Sequence, residues 1–484
     1  MKKIVTLSTA AFLATATLAN ASDADMQAQI DALTKKVKKL EKKQKKQTKK
    51  ISAINKLANN DNLKFGADLR TAYDYIGYKN AKGDTSSNNL FSNRLWIKMA
   101  YAPTNNLAFY GTIAYHKIYG QSTAPSQGFN YYDWIVNETV NPSDELRVKE
   151  AYFLYKNDTF FGMDIPWTAS IGRRPSTDGL LVNYREDQKA KSAIGHNINM
   201  EFDGASFSYQ LENVVGVPGM SMKFCFGRGM SNVQSRYSGM KQNTDGTFSP
   251  NPMNPGGIDY AKVDGFDDTD LVGILFNPYD DGQYSIHAVW FDAFNLPGMT
   301  SMASATQPTY KFEQTGDVSG GAISLIADGI GDGISDFLDD TVIFASGAYS
   351  RTAPKDRMLG STDNEIGESI YIGANWPCQL MDDARVGIEY NKGSAYWRSF
   401  TYGEDTLAGS KLATRGDAYE IWFNKNLIGK KLTAQVRYTY IDYKYTGSNA
   451  FFGDDGHPVE ISASSTPDAV DVAQDLRVYL RYRY

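Results

Sequence analysis

The sequence predicts an all-β fold: a 16-stranded antiparallel barrel that spans a membrane, with a short helical coiled coil in front of it. Three observations lead to this prediction. Apolar and polar residues alternate along many short segments, and the connections between these segments are short and long in turn. The chain also ends within its clearest alternating segment, RVYLRYRY. A membrane barrel explains all three, because each strand has a lipid-facing and a water-facing side and the last strand closes onto the first.

The first 21 residues (1–21) have the features of a secretory signal peptide. Lys2 and Lys3 precede a short, threonine-rich apolar run that ends in Ala19-Asn20-Ala21, a small-x-small cleavage pattern. We expect cleavage after Ala21; a retained membrane helix is the alternative, but the run is short for one. No later apolar run approaches the roughly 18 residues of a helical span. The mature chain is therefore predicted to leave the cytoplasm.

Residues 22–61 are predicted to form a lysine-rich coiled coil in the periplasm. Apolar residues recur there with heptad spacing, and TKKVKKLEKKQKKQTKK holds ten lysines and one glutamate. An isolated helix with this charge would repel itself, so we expect a homo-oligomer. Ile51 and Ile54 fill both seam positions, which favours three or four chains, and we expect a trimer. Lys35–Lys50 could bind a polyanion such as the cell wall; a solvated lysine face is the alternative.

Residues 62–484 are predicted to form the barrel. In LKFGADLRTAYDY, for example, Leu63 and Phe65 lie on one face of a strand and Asp68 and Arg70 lie on the other. Sixteen such strands are placed at 62–76, 90–101, 106–118, 145–156, 166–173, 196–212, 219–227, 267–277, 283–294, 320–328, 341–350, 367–376, 384–393, 416–424, 431–444 and 472–484. Roughly 14 to 18 strands fit the same pattern, and a barrel of that size encloses an aqueous channel.

The connections favour a membrane barrel over a soluble sandwich of strands. Every second connection is compact: APTN, KNDTFFGMD, VVGVPG, NPYDDG, the helix-like GDGISDFLDD, WPCQLMD and NKNLIGK. The others mostly run from about a dozen to forty residues, as expected for short turns on one side and long loops on the other. Residues 196–212 are predicted to form one strand with a β-bulge at Asp203-Gly204, because a hairpin there would make seventeen strands.

The final octet is predicted to be the closing strand, paired with the strand at 62–76 so that no edge remains in lipid. Its outward side chains are Leu476, Val478, Leu480, Tyr482 and Tyr484, and its inward side chains are Arg477, Tyr479, Arg481 and Arg483.

The sequence gives little sign of catalysis. Its four histidines are scattered without metal-like spacing: His116, His196, His287 and His457. The acidic series from Asp328 to Asp340 does not match a calcium-binding loop, and a capped helical turn fits it better. Cys225 and Cys378 are too few for a disulfide framework; they either pair or remain free. We therefore predict no catalytic residue, no metal, no cofactor and no nucleic-acid partner.

Charge is distributed unevenly in the barrel region. Residues 1–61 hold 13 Lys and Arg and five Asp and Glu, which leaves 37 and 50 for residues 62–484. The acids concentrate in loops such as DGFDDTD, whereas basic residues lie on the polar faces of strands. We predict Arg70, Arg94 and Lys98 as pore-lining residues and a lumen that favours anions. A mixed lumen with little selectivity is the alternative.

The loop after the fifth strand is the predicted constriction. It begins in SIGRRPSTDGLLVNYREDQKAK and carries five candidate residues: Arg173, Arg174, Arg185, Glu186 and Asp187. A long loop after an early strand can fold inward, and opposite charges there would set up an electric field across the opening. An exposed loop with ordinary surface charge is the alternative.

Several long motifs resemble one family: FSNRLWIKMAYAPTNNLAFYGTIAYHKIYG, ELRVKEAYFLY, DIPWTASIGRRPSTDG, NINMEFDGAS, NPYDDGQYS and RYTYIDYKYTGSNAFFG. They are similar to porin-like outer-membrane β-barrels of bacteria catalogued as a domain of unknown function. The resemblance covers nearly the whole mature chain. It implies a barrel in outer-membrane lipid that passes small hydrophilic solutes, and it supplies no catalytic residues and no agreed substrate. A structural anchor whose coiled coil tethers the cell wall is the alternative function.

Overall fold

The computed structural model describes residues 63–120, 146–174, 182–187, 195–231, 240–242, 247–250, 267–302, 309–331, 333–401 and 406–484. The predicted signal peptide and coiled coil lie outside these residues. Among the described residues, no helix is long and apolar enough to cross a membrane.

Sixteen strands form one closed antiparallel barrel, in which neighbours along the chain are neighbours in the wall. They are β1 (Lys64–Asn80), β2 (Thr85–Tyr101), β3 (Leu107–Ile118), β4 (Leu146–Asn157), β5 (Trp167–Arg174), β6 (Phe202–Gln210), β7 (Ser221–Met230), β8 (Thr269–Asp280), β9 (Tyr284–Met302), β10 (Thr309–Asp328), β11 (Val342–Pro354), β12 (Ile366–Pro377), β13 (Ala384–Gly393), β14 (Gly416–Ile428), β15 (Leu432–Tyr443) and β16 (Val470–Arg483). The predicted antiparallel barrel and its strand number are confirmed.

The last strand closes the barrel, as predicted. β16 pairs with β1 in a register that runs from Asp68 opposite Arg483 through Tyr73 opposite Val478. The final residue extends this ladder, because Tyr484 N donates to the Ala67 carbonyl at 2.8 Å and Tyr484 O accepts from Ala67 N at 3.1 Å. Closure gives every wall strand two partners and so leaves no unpaired backbone edge.

The two faces of the wall differ as the period of two predicts. In β16, Leu480 on the outer face is 52% exposed, whereas its neighbour Arg481 on the inner face is 1% exposed. Ile323 and Ile370 show the same outward placement on the opposite part of the wall. The outer surface is therefore apolar, as contact with lipid requires.

The predicted strand at 196–212 is wrong in its first part. The wall strand β6 starts at Phe202 and pairs with β5 without a register shift, so there is no β-bulge at Asp203-Gly204. Residues 198–199 leave the wall and form a short parallel pair with residues 400–401 inside the barrel. The apolar phase changes there because Ile198 and Met200 pack in the lumen rather than against lipid.

The two ends of the barrel carry different connections. At one end, seven connections have between three and 13 residues; at the other, eight have between four and 38. Two connections at the second end are shorter than predicted, 81–84 and 303–308, because their strands continue past the predicted ends. Backbone pairing persists there after the apolar alternation has ended, which is possible once a hairpin extends beyond the lipid.

The described parts of the connections contain three short α-helices: α1 (Val182–Arg185), α2 (Glu212–Val215) and α3 (Asp336–Asp339). The predicted capped turn is α3, where the Ser335 hydroxyl accepts from Leu338 N at 3.2 Å. Such an N-cap contact satisfies a backbone donor that the first turn leaves unpaired.

Part of the lumen is filled by an apolar core, which corrects the expectation that the inner side of every strand faces water. Inward side chains of β8, β9 and β10 pack against residues of four inward-folded connections: Leu271, Val289, Phe291 and Val318 from the wall, and Ile198, Met358, Phe400 and Phe452 from the connections. Burial of each such side chain contributes about 1.5–3 kcal/mol. These contacts hold the connections inside the barrel.

Candidate channel constriction

The loop after β5 enters the barrel with its segment around α1. Arg185 and Glu186 are each 1% exposed. Arg185 Nε donates to Glu186 at 3.2 Å, and its guanidinium also pairs with Glu420 of β14. The Arg185 carbonyl accepts from Gln435 of β15 at 3.2 Å. This segment therefore lies against the inner face of β14 and β15.

Glu186 and Asp187 continue the contact onto β16. Glu186 Oε2 accepts from the Tyr479 hydroxyl at 2.9 Å and from Arg481 at 3.3 Å, and its carbonyl accepts from Arg481 at 2.6 Å. Asp187 pairs with Arg483 at 2.9 Å. Loop carboxylates thus meet the arginines of the closing strand directly.

This contact differs from the expected field across an open gap. The opposite charges of Glu186 and Arg481 touch and have no water-filled opening between them. The reason is that a charge in a low-dielectric interior is stabilised most by a partner at hydrogen-bond distance.

The inner wall carries a second cluster of charges around Asp68 of β1. Asp68 pairs with Arg481 at 2.6 Å, with Lys98 at 3.6 Å and with Arg94 at 3.7 Å. The side chain of Lys98 is 49% exposed, so this cluster reaches solvent. The structure therefore brings the predicted pore-lining residues Arg94 and Lys98 together around one carboxylate.

Two of the predicted arginines pack against aromatic rings of the wall. The guanidinium carbon of Arg94 lies 3.8 Å from the ring centre of Trp96, and that of Arg70 lies 5.4 Å from the ring centre of Tyr479. A guanidinium over a ring face gains cation–π attraction, which favours this placement of both side chains.

The remaining two predicted residues lie apart from this cluster. Arg173 lies on the outward side of β5, 3.6 Å from Asp203, and its role as a constriction residue stays a prediction. The alternation of β5 explains this, because Arg173 shares its face with the lipid-facing Ile171. Arg174 faces inward, with its guanidinium carbon 4.4 Å from the Tyr152 ring centre, in a different part of the lumen.

Sequence reasoning missed Lys411 in the connection between β13 and β14. Its ammonium group pairs with Glu389 and, at 2.7 Å, with Glu420. Glu420 thereby joins two inward-folded connections, since it also pairs with Arg185. Nothing in the local sequence signals this, because Lys411 lies in an irregular segment and its partners lie on separate strands.

His196 anchors the loop after β5 to the opposite wall. Its Nδ1 and Nε2 atoms lie 2.9 Å from the hydroxyls of Ser346 and Ser369. Burial lowers the pKa of His196 to about 3. The ring is therefore neutral at physiological pH and uses both nitrogens for hydrogen bonds.

Two buried arginines tie the connections at the long-loop end together. Arg398 donates to the carbonyls of Gly447 and Ser448, each at 3.0 Å. Arg415 donates to the carbonyl of Trp397 at 3.0 Å and to that of Gly456 at 2.7 Å. These contacts tie the connection between β13 and β14 to the connection between β15 and β16.

No group of three or more His, Cys, Asp or Glu that could hold a metal ion occurs in the part of the chain that the structure describes. Cys225 and Cys378 are both free thiols, so of the two alternatives for them, pairing is excluded.

A closed barrel with an apolar outer wall and a charged, loop-filled lumen defines a membrane β-barrel protein. A family model described as Protein of unknown function (DUF3373) matches residues 84–484. The chain belongs to this family, as the resemblance of its motifs implied. A search of the curated proteins found no match.

Solved structures with some similarity are outer-membrane proteins. OmpT of Vibrio cholerae, folded in vitro, has a TM-score of 0.45 and 11% identity over 87% of this chain and 97% of that one. OprB of Pseudomonas putida at high pH has a TM-score of 0.47 and 10% identity over 88% and 94%. OmpF of Salmonella typhi in complex with daunomycin has a TM-score of 0.43 and 11% identity over 87% and 97%. Similarities at this level say nothing about the function of this chain.

Proposed function

We propose that this chain is an outer-membrane porin, a channel through which small hydrophilic solutes or ions diffuse passively. The observation that supports it most is the closed wall of sixteen strands, apolar on the outside and charged on the inside. Barrels with sixteen to eighteen strands are wide enough for an aqueous channel, whereas about eight strands fill with side chains. In this proposal the docked segment Arg185 to Asp187 narrows the lumen from one side.

We also propose that the channel prefers anions. Within β1, β2, β15 and β16, five buried arginines outnumber three buried aspartates: Arg70, Arg94, Arg437, Arg477 and Arg481 against Asp68, Asp74 and Asp475. An excess of one sign of charge inside a low-dielectric wall raises the local concentration of the opposite ion.

The test is planar-bilayer recording of the refolded protein in asymmetric potassium chloride. We expect stepwise ohmic conductance and a reversal potential of the sign that chloride preference gives. The variant Lys98→Gln should conduct with a reversal potential shifted toward zero, because Lys98 is the partly exposed cation of the Asp68 cluster. Lys392→Gln, an exposed lysine on the outer face of β13, is the control and should change nothing. Absence of conductance would refute the channel, and cation preference would refute its anion selectivity.

The segment 22–61 completes the proposal as a periplasmic coiled coil that associates three chains. Its heptad spacing and its isoleucines at both seam positions support this assignment.

A further inference from the structure

A cavity lies at the end of the barrel that carries the long connections, between the ends of β1 and β15 and the connection from β15 to β16. Its volume is about 390 Å³, within the range of roughly 300–1,000 Å³ that is typical of sites for small molecules. The lining combines aromatic rings with polar side chains: Tyr78, Tyr443 and Tyr445, and Thr446, Asn449 and Asp455. The cavity is therefore large enough for a small organic molecule that has both apolar and polar surface.

Two tyrosine rings of the wall form the apolar side of this cavity. Tyr78 of β1 and Tyr443 of β15 follow the inward alternation of their strands, and both pack on an apolar cluster that includes Ile76 and Ala473. The Tyr78 hydroxyl also lies 3.5 Å from the carbonyl of Leu407 in the connection between β13 and β14. Because close packing on one side fixes the rings, they offer the cavity apolar surfaces of defined orientation.

The polar side of the cavity belongs to the connection between β15 and β16, which is held by its own hydrogen bonds. The Thr446 hydroxyl donates to the His457 carbonyl at 2.9 Å. The carboxylate of Asp455 accepts from Phe451 N at 2.8 Å and from Met299 N at 3.2 Å, one bond to each oxygen. Since each carboxylate oxygen has a second lone pair, Asp455 can still accept a hydrogen bond from a ligand hydroxyl. These groups are therefore oriented before a ligand binds, which lowers the entropy cost of binding.

Gly409 lets two further polar groups of the cavity come close together. Its φ of +143° lies in a region that favours glycine. A Cβ atom at this position would meet the Tyr443 hydroxyl and would lie 3.1 Å from Asn449 Nδ2. The hydroxyl and the amide are therefore near enough for one ligand to contact both.

We propose that this cavity binds a neutral mono- or disaccharide. The C–H face of a sugar ring packs on the tyrosine rings, and its hydroxyls bond to the Asp455 carboxylate and to the Asn449 amide, which both donates and accepts. The charge of Asp455 disfavours an anionic solute, and the polar side of the cavity disfavours a purely apolar one. This inference deepens the proposed function by naming a solute class, and it rests on that function only for the passage of the bound sugar through the lumen.

The test is saturation-transfer NMR of the full chain in an amine-oxide detergent, which has no sugar headgroup to compete. The probes are D-glucose, maltose and sodium glucuronate. We expect saturable binding of both neutral sugars and weaker binding of glucuronate, whose carboxylate meets Asp455. Tyr78→Leu and Asn449→Ala should each weaken glucose binding about three- to tenfold, because the first removes an aromatic packing face and the second removes a hydrogen-bonding amide.

The matched controls are Tyr75→Leu and Asn89→Ala, which change directly paired residues on the outer face of β1 and β2 and should leave glucose affinity unchanged. Heat-modifiable migration in gels shows whether each variant is folded. Asn449 is exposed, so its variant keeps the test decisive if Tyr78→Leu does not fold. Failure of both neutral sugars to bind, equal losses in the controls, or tighter binding of glucuronate than of glucose would overturn the site.

Bilayer recording of the same preparation separates this inference from the proposed channel. Conductance without binding of either neutral sugar refutes only the sugar site, and sugar binding without conductance refutes only the channel.

Discussion

At the scale of single residues, buried ion pairs attach the inward-folded loops to the inner wall of the barrel. Arg481 is the centre of one such group, because it pairs with Asp68 at 2.6 Å and with Glu186 at 3.3 Å. Removing one partner from a buried pair leaves an uncompensated charge, whose cost exceeds the net contribution of the intact pair. Arg481 therefore connects wall closure and loop docking in one contact.

Arg481→Ala should lower the free energy of unfolding by about 3–5 kcal/mol, because Asp68 and Glu186 stay buried without their shared cation. Urea unfolding of the barrel in lipid vesicles measures this. The control is Arg228→Ala, which breaks an exposed pair with Asp270 at 2.7 Å and should cost about 0–1 kcal/mol. Equal losses in the two variants would mean that Arg481 behaves as a surface residue.

His196 predicts a dependence of stability on pH. Burial lowers its pKa in the folded barrel to about 3, whereas an unfolded histidine titrates at about 6.5. Between these values the unfolded chain binds more protons, so the free energy of unfolding falls as pH falls from about 6.5, by up to about 1.4 kcal/mol per unit. The contribution is fully present above pH 6.5.

The measurement is the difference between the wild type and His196→Asn in urea unfolding at pH 7, 6, 5 and 4. The difference isolates His196 from carboxylates that titrate in the same range. We expect the wild type to lose stability more steeply than the variant on acidification. Parallel curves would show that His196 does not remain neutral in the fold.

At the scale of elements, each strand combines two chemically different faces. Val478 lies at the centre of the closing strand, opposite Tyr73 of β1 and Val436 of β15, and points outward. Its outward face requires an apolar side chain, whereas Arg477 next to it pairs with Asp74 inside. Apolar and polar residues therefore alternate along the strand because its two faces contact different surroundings, lipid outside and charged groups inside.

Val478→Arg should destabilise the barrel in lipid by about 2–4 kcal/mol, because it places a charge on the lipid face near mid-strand. Ile366→Arg, at the first residue of β12, is the matched control and should cost about 0–1 kcal/mol near the interface. Unfolding in vesicles compares them. An equal loss of unfolding free energy at both positions would contradict the placement of Val478 deeper in the lipid than Ile366.

At the scale of the whole molecule, all sixteen wall strands lie within Lys64–Arg483, so the barrel closes without the first 61 residues. Deleting residues 22–61 behind the predicted signal peptide should give a folded, conducting barrel of lower association state. Native mass spectrometry in detergent measures the change, and we expect trimers in the full chain and monomers in the deletion variant. Trimers in both would assign association to the barrel wall.

The alternation of apolar and polar residues predicted the strands and their closure because lipid and water act on alternate side chains of every strand. The prediction from alternation failed where a segment does not have lipid on one side and water on the other. The strands β1 and β2 continue past the predicted ends, since their backbones stay paired as far as Lys79 and Thr85 although the apolar alternation has stopped. Residues 198–200 look like a wall strand because burial in the lumen also selects apolar side chains.

The site was predictable only in part, for a related reason. The charged stretch of the loop after β5 predicted a site at Arg185, Glu186 and Asp187. The polar faces of the strands predicted Arg70, Arg94 and Lys98 as residues of the lumen. Lys411 and His196 were missed as lumen contacts because their partners lie far away in the sequence: Lys411 meets Glu389, and His196 meets Ser346.

By itself, the sequence determined that this chain forms an antiparallel barrel of about sixteen strands, because the period of two along each strand is a local property. Only the tertiary structure decided what fills the barrel. It decided which loop carboxylate meets Arg481, which connections cover the apolar face of β8–β10, and which buried charges lie together. These contacts join segments that are distant in the sequence, so no local pattern predicts them.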